Sequence, residues 1–544
     1  MLLEKETAQE QQAQKKDQGV HHDFDQTHSI LLPERRLSLK RLKPAEGSNA
    51  YTMPEQILTF YRFLFAIWAI LQIFTFAGAQ TQEIEVEMQF EPGKPVRVQG
   101  KYGDAGRKNL SFLNSIAGSE GLAKRIANIA LTDKAGNEVA FKKLQDGELF
   151  AESEFAGWSY TVDLTPNNNT PVAHASWASD SVGLLMAADI LPLPGKESRP
   201  VRLMLKLPVG WSALTTETRG PDGTIYLKEP DDAVIMIGRD LETESASAVE
   251  KGPGVDIGMS AKWHFTLTEA AGMASQIIGE YQKIFGGSAF KIVRVNIVPH
   301  PAANNPGTWQ AETRGNTVTI VSTDMSFRTQ SLQRLHEQLR HEIFHLWIPN
   351  GVNLSGNYDW FYEGFALYQS LKTAVALNRI SFDNFLGTLS RAYSIDRRQK
   401  ERASMHETSQ NRWAGRNTEL YARGMVIAFM FDAAMMEASG GKRQVGEIFR
   451  EIFNRHASPA APADANESII KLMNNHREIR PIIDRYIAGN EPIDLAPTLA
   501  ATGIEVAGSQ EESFRVKAKL SSRQKTILDR LGYNNWRKSP KYLK

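Results

Sequence analysis

Residues 341–345 read His341-Glu342-Ile343-Phe344-His345, and residues 359–366 read Asp359-Trp360-Phe361-Tyr362-Glu363-Gly364-Phe365-Ala366. The first stretch lies in a helical pattern, with Leu332, Leu335, Leu339, Ile343 and Leu346 on one face. Positions i and i+4 of a helix are separated by about 40° around the axis and one turn along it. His341 and His345 therefore project together and can chelate one ion, with Glu342 one step round, beside the ion. Two histidines and a neighbouring base at this spacing are the arrangement of a zinc hydrolase.

A catalytic zinc needs a third protein ligand and an open position for water. Glu363 opens the next helical segment, 18 residues after His345, which is enough chain for the second helix to turn back onto the first. Asp359 is the alternative third ligand. The metzincin pattern is excluded, because Ile348 and Gly351 stand where it requires Gly and His. One zinc ion is the expected cofactor.

The rest of the chain is read outward from this centre. It has 544 residues, a net charge of +1, 42% hydrophobic and 23% charged residues. That length implies several domains, and the charge balance offers no field for nucleic acid. There is no cysteine, which rules out disulfides, thiolate metal sites and a cysteine nucleophile. A cysteine-free chain suits a cytosol or a bacterial envelope.

Residues 1–52 are polar, with runs such as Lys15-Lys16-Asp17, and are expected to be disordered or to precede the true start at Met53. Residues 53–79 resemble a signal peptide or signal anchor. Arg62 precedes the uncharged stretch Phe63–Phe76, which ends in Ala77-Gly78-Ala79. Cleavage would leave Gln80 first. An uncleaved segment would anchor the protein in a membrane through residues 57–76. The expected location is exported, periplasmic or extracellular, or alternatively the inner membrane.

Residues 80–255 read as a β-rich N-terminal domain of antiparallel strands, such as Glu83–Met88 and Val201–Leu207, separated by Pro92-Gly93 and Pro221-Asp222-Gly223. Residues 256–378 read as an α+β catalytic domain. Its helix spans 269–285 and its strands 292–299 and 316–321. Thr317, Val318 and Thr319 are expected on an exposed sheet edge, where a peptide substrate could add as a strand. Residues 379–505 read as an α-helical domain. Helical spacing covers 331–347, 360–377, 420–438, 443–455 and 466–488, with Gly440-Gly441 as a stop. The basic tail 506–544 reads as a solvated surface helix. Trp347, Asn350 and Trp360 are expected to pack or orient the ligands. His174, His336, His406, His456 and His476 read as structural histidines. No feature assigns an oligomeric state.

His341, His345 and Glu363 together resemble the gluzincin signature. The run His345-x-Trp347-x-x-Asn350, with Trp360-x-x-Glu363-Gly364-x-Ala366-x-Tyr368, is similar to the alanyl aminopeptidase and leukotriene hydrolase families. The spacing from His345 to Glu363 is one residue shorter than is usual there. The layout over roughly residues 85–505 looks most like the glycyl aminopeptidase family, which implies a thermolysin-like catalytic domain. Tyr421-Ala422-Arg423-Gly424 is similar to a Tyr-x-Lys-Gly element whose tyrosine stabilises the oxyanion, with Arg423 in place of lysine. The resemblance implies a zinc aminopeptidase with Glu342 as general base and Tyr421 as oxyanion donor. Two departures stand out. Gly307–Thr313 lacks the histidine of the Gly-Gly-x-Glu-His-like element, which opens an endopeptidase alternative. Only about 40 residues follow Gly503, too few for a terminal PDZ domain. A catalytically silent scaffold is the third reading, and the intact Glu342 argues against it.

Overall fold

The computed structural model describes residues 83–535, apart from 92, 104–105, 168, 194–198, 248–251, 303–304, 458–460 and 508–512. The expectations for 1–52, for the apolar segment within 53–79 and for the last nine residues lie outside the described residues. Among the described residues no helix is long and apolar enough to cross a membrane.

The alternation in the N-terminal third does produce strands. Ile84, Val86 and Met88 point into a core while Glu85 and Glu87 face outward. The seven-stranded sheet is mixed, however. Ile84–Gln89 pairs antiparallel with Val96–Tyr102 but parallel with Val201–Lys206. More than a hundred intervening residues make that parallel return feasible, since only adjacent hairpin strands must be antiparallel.

The central feature is a five-stranded sheet. Its order is Glu242–Ser247, Gly254–Met259, Ile292–Pro299, Thr317–Ser322 and Trp309–Arg314. The strand holding Thr317, Val318 and Thr319 is therefore interior, not the edge expected from sequence. It is paired with Ile292–Pro299 on one side and Trp309–Arg314 on the other. All six of its residues are buried. A run of β-branched and apolar residues without exposed alternation is what a strand covered on both faces requires. The edge is the more polar Trp309-Gln310-Ala311-Glu312-Thr313-Arg314.

Four helices build the site. Helix α1 (Leu267–Phe285) starts with a capping box between Thr266 and Glu269. Helix α2 (Arg328–Phe344) carries His341 and Glu342, helix α3 (Asp359–Ala376) carries Glu363, and helix α4 (Asn417–Ser439) carries Tyr421. Helix α4 is buried nearly throughout and stops at Gly440, whose φ of 63° takes the left-handed turn of a helix end.

Two helical expectations change. Segment 466–488 is broken into Ala465–Met473 and a second piece beginning at Arg480, with Pro481 in its first turn. A proline fits there because the first turn has no intrahelical acceptor for its missing N–H. The tail is not simply solvated. Ser513–Val516 pairs with Ile504–Ala507, and helix Ser522–Leu531 buries Ile527, Leu528 and Leu531.

One continuous hydrophobic core includes Val255, Phe344, Phe365, Phe431, Ile487 and Leu531. The segments 256–378 and 379–505 thus share their interior. A separate core fills the β-rich part, and a third, smaller one packs Val172, Trp177 and Met236 against Val298 and Val321 of the central sheet.

Candidate metal centre

Helix α2 turns His341 and His345 to the same side, and α3 brings Glu363 to meet them. The Nε2 atoms of His341 and His345 are 3.2 Å apart. Glu363 Oε2 lies 3.2 Å from His341 Nε2 and 3.6 Å from His345 Nε2. All three residues are buried, and these ligand atoms form the one such three-residue group among the described residues. Ligands about 2.0–2.1 Å from a tetrahedral zinc must stand about 3.3–3.4 Å from one another. The observed separations fit that ion, as does the donor set of two imidazoles and one carboxylate. The other ring nitrogen of His345 lies 3.1 Å from the Ile348 carbonyl, the kind of contact that fixes a ligand's ring. Asp359, the alternative ligand, is instead held by Arg412 at 3.0 Å and by the Tyr362 hydroxyl at 2.7 Å.

Charge is unevenly shared. Burial would raise Glu363, but the Arg412 cation and the two histidines outweigh it and hold the carboxyl well below its ordinary range. Burial would lower His345, yet hydrogen bonding to Glu363, with the Glu363 and Glu342 charges, raises it to about 9 in the metal-free protein. Glu342 is shifted upward, mainly by burial, with the histidine charges opposing. Thr313 of the edge strand places its Oγ1 2.9 Å from Glu342 Oε2 and 2.8 Å from the Glu342 carbonyl. The carboxylate is thereby aimed by a hydroxyl from the sheet.

Tyr421 enters from α4, its ring 6.0 Å from that of His341. The approach of α4 to α3 depends on two glycines. A Cβ on Gly364 would lie 2.5 Å from Gly424 Cα, and one on Gly424 would lie 2.8 Å from Gly364 Cα. Only bare backbones pass that closely. Each glycine is a near neighbour in sequence of a site residue, Glu363 or Tyr421.

The supporting residues divide by task. Asn350 donates to the carbonyls of His345 and Thr313, both at 3.0 Å, and accepts from the Gly315 N–H at 3.1 Å. It ties the end of α2 to the edge strand. Trp347 donates to the Gly287 carbonyl at 2.7 Å and stacks on Phe285, joining α2 to the end of α1. Trp360 donates to Asn466 at 2.8 Å and anchors the start of α3. Arg423, at the lysine position of the resembled element, is turned away. It pairs with buried Asp396 at 2.8 Å and donates to the Glu491 carbonyl.

Two features were missed in the sequence. Arg412 donates at 2.9 Å to Glu363 Oε1 and at 2.9 Å to the Tyr421 hydroxyl. It sits in a connecting turn with no motif spacing to mark it. His174, read as a lone structural histidine, meets Glu312 of the edge strand at 2.5 Å. Burial pushes Glu312 up, but His174 and Arg314 pull it down further, so its carboxyl stays ionised. No local pattern could pair residues 138 positions apart.

No family model and no curated protein matches the sequence. Solved structures do match in shape. An aminopeptidase N family protein from Idiomarina loihiensis superposes with a TM-score of 0.66 at 16% identity, covering 81% of this chain and 82% of that one. An M1 zinc metallopeptidase from Deinococcus radiodurans gives a TM-score of 0.47 at 14% identity, covering 76% of this chain and 96% of that one. The first likeness shows a shared fold, with a β-rich N-terminal part and a helical C-terminal part.

Proposed function

We propose that the chain is a zinc-dependent peptide hydrolase of the gluzincin type, with a thermolysin-like catalytic part, acting as an aminopeptidase. The observation that carries this is the convergence of His341, His345 and Glu363 at zinc-ligand separations, with Glu342 buried beside them. Zinc held there would supply Lewis acidity to the scissile carbonyl and lower the pKa of water. Glu342 accepts the proton of the attacking water and passes it to the leaving amine. A carboxyl shifted upward by burial suits both halves of that exchange. Tyr421 donates to the developing oxyanion, a contact worth about 3–4 kcal/mol. The edge strand Trp309–Arg314, rather than residues 317–319, is the strand along which an extended peptide can add.

Aminopeptidase action needs an anion for the substrate's ammonium. Glu312 supplies one, ionised and partly exposed, next to the Thr313 that touches Glu342. The endopeptidase reading is favoured by one fact: His174 already engages Glu312.

The test is metal analysis with hydrolysis of matched free and N-blocked peptides. We expect one zinc per chain and cleavage from free amino termini. Glu342→Gln should keep its zinc and lose roughly 10²–10⁴-fold in kcat. Absence of stoichiometric zinc would overturn the ligand assignment, and cleavage of blocked peptides alone would replace the aminopeptidase by an endopeptidase.

A further inference from the structure

Arg412 is a buried cation in direct contact with Glu363, and nothing in the chemistry above requires it. Its guanidinium contacts four side chains at once. Nη1 donates to Glu363 Oε1 at 2.9 Å and to Asp359 Oδ2 at 3.0 Å. Nη2 donates to the Tyr421 hydroxyl at 2.9 Å, and Nε to Asn417 Oδ1 at 2.8 Å. The Trp413 ring covers the group, 4.5 Å away.

Two of these acceptors belong to α3 and two to α4. A guanidinium is planar and rigid, with five N–H donors and no acceptor. Acceptors bonded around its rim are therefore held at set positions relative to one another. For Glu363 the consequence is rotational. Oε1 is engaged by Arg412, so Oε2 is the oxygen presented to the two histidines. For Tyr421 the consequence concerns the proton. Arg412 can only donate, so the phenolic hydrogen cannot point at it and must lie on another side of the oxygen.

We infer that Arg412 is a positioning residue, which sets the orientation of the metal ligand Glu363 and of the Tyr421 hydroxyl through one planar group. The inference rests on the zinc hydrolase reading for its kinetic part only. The plain alternative is that Arg412 merely neutralises a buried carboxylate. Lysine separates the two, because an ammonium neutralises charge but cannot span the same acceptors.

Wild type, Arg412→Lys, Tyr421→Phe and the double variant should be compared for zinc affinity, by competition with a chromophoric chelator, and for kcat and KM at saturating zinc. Arg412→Lys should bind zinc about 10–100-fold more weakly. Its kcat should fall with KM unchanged, and the double variant should be no slower than Tyr421→Phe alone. Wild-type zinc affinity in a folded Arg412→Lys, or losses that add in the double variant, would overturn the inference. If Arg412→Lys does not fold, Asp359→Ala, which removes the acceptor altogether, replaces it. Freeing one side of the guanidinium should weaken zinc binding in the same direction, and unchanged binding overturns the inference. A wild type that binds zinc but cleaves no peptide would remove the proposed function and leave the affinity comparison as the deciding result. An active wild type with unchanged variants removes the positioning role alone.

Discussion

At the residue scale, the surroundings of His345 favour its protonated form, and zinc bound as proposed would have to displace that proton. In the metal-free protein its pKa is raised from 6.5 to about 9, the partners Glu363 and Glu342 prevailing over burial. A raised pKa means that protonation favours the folded state. That contribution is present in full below about pH 6.5 and is lost as pH rises through about 9. Zinc takes only the neutral imidazole, so binding releases this proton. Apparent zinc affinity should therefore climb by up to about tenfold per pH unit across that window and level off above it. Chelator competition at a series of pH values measures this, and a flat profile would mean that His345 holds no such proton. His341, Glu342 and His345 were legible because one helix turn sets their geometry. Arg412 was not, since its partners lie on two other helices and nothing in its neighbourhood advertises them.

At the scale of elements, the centre depends on how closely α3 and α4 cross. The motif glycines Gly364 and Gly424 stand in the sequence beside Glu363 and near Tyr421, and the structure supplies the reason: their backbones touch. Gly364→Ala puts a methyl 2.5 Å from Gly424 Cα. Backbone on a packed helix cannot swing aside, so the helices must part, at a cost of about 1–3 kcal/mol. Thermal unfolding should show that loss. Zinc-loaded activity should fall by more than the stability change explains, because the same displacement separates Tyr421 from the metal ligands. The edge strand shows the opposite case. A strand at 316–321 was legible from its β-branched residues, one residue off the observed Thr317–Ser322, but edge or interior is a matter of neighbours. The hairpin folded Trp309–Arg314 onto the outside.

At the scale of the whole molecule, the expected division at 378 runs through a continuous core. Phe344, Phe361 and Phe365 meet Phe431 and Phe449 across it. Residues 256–378 expressed alone should lack a cooperative thermal transition, whereas a fragment extending through Leu531 retains that core. Circular dichroism against temperature distinguishes them, and a sharp transition in the short fragment would contradict the shared core. The β-rich part is also joined to the site. The Ala173 N–H donates to Gln310 at 3.3 Å, Arg314 donates to the His174 carbonyl at 3.3 Å, and His174 meets Glu312. The edge strand thus has a second border that no reading of the catalytic segment alone would include.

The amino-acid sequence by itself determined that His341 and His345 share one side of a helix beside Glu342, the helices that carry these residues and Glu363, and the β-to-α order of the chain. These follow from periodicity and from contacts within a turn or a hairpin, where bonded geometry dictates which side chains meet. The tertiary structure decided that Glu363 meets the two histidines while Asp359 turns to Arg412, which strand is the edge, and what Arg412, His174 and Glu312 touch. Those contacts join residues tens to more than a hundred positions apart, and they exist only after helices and sheet have packed into one core.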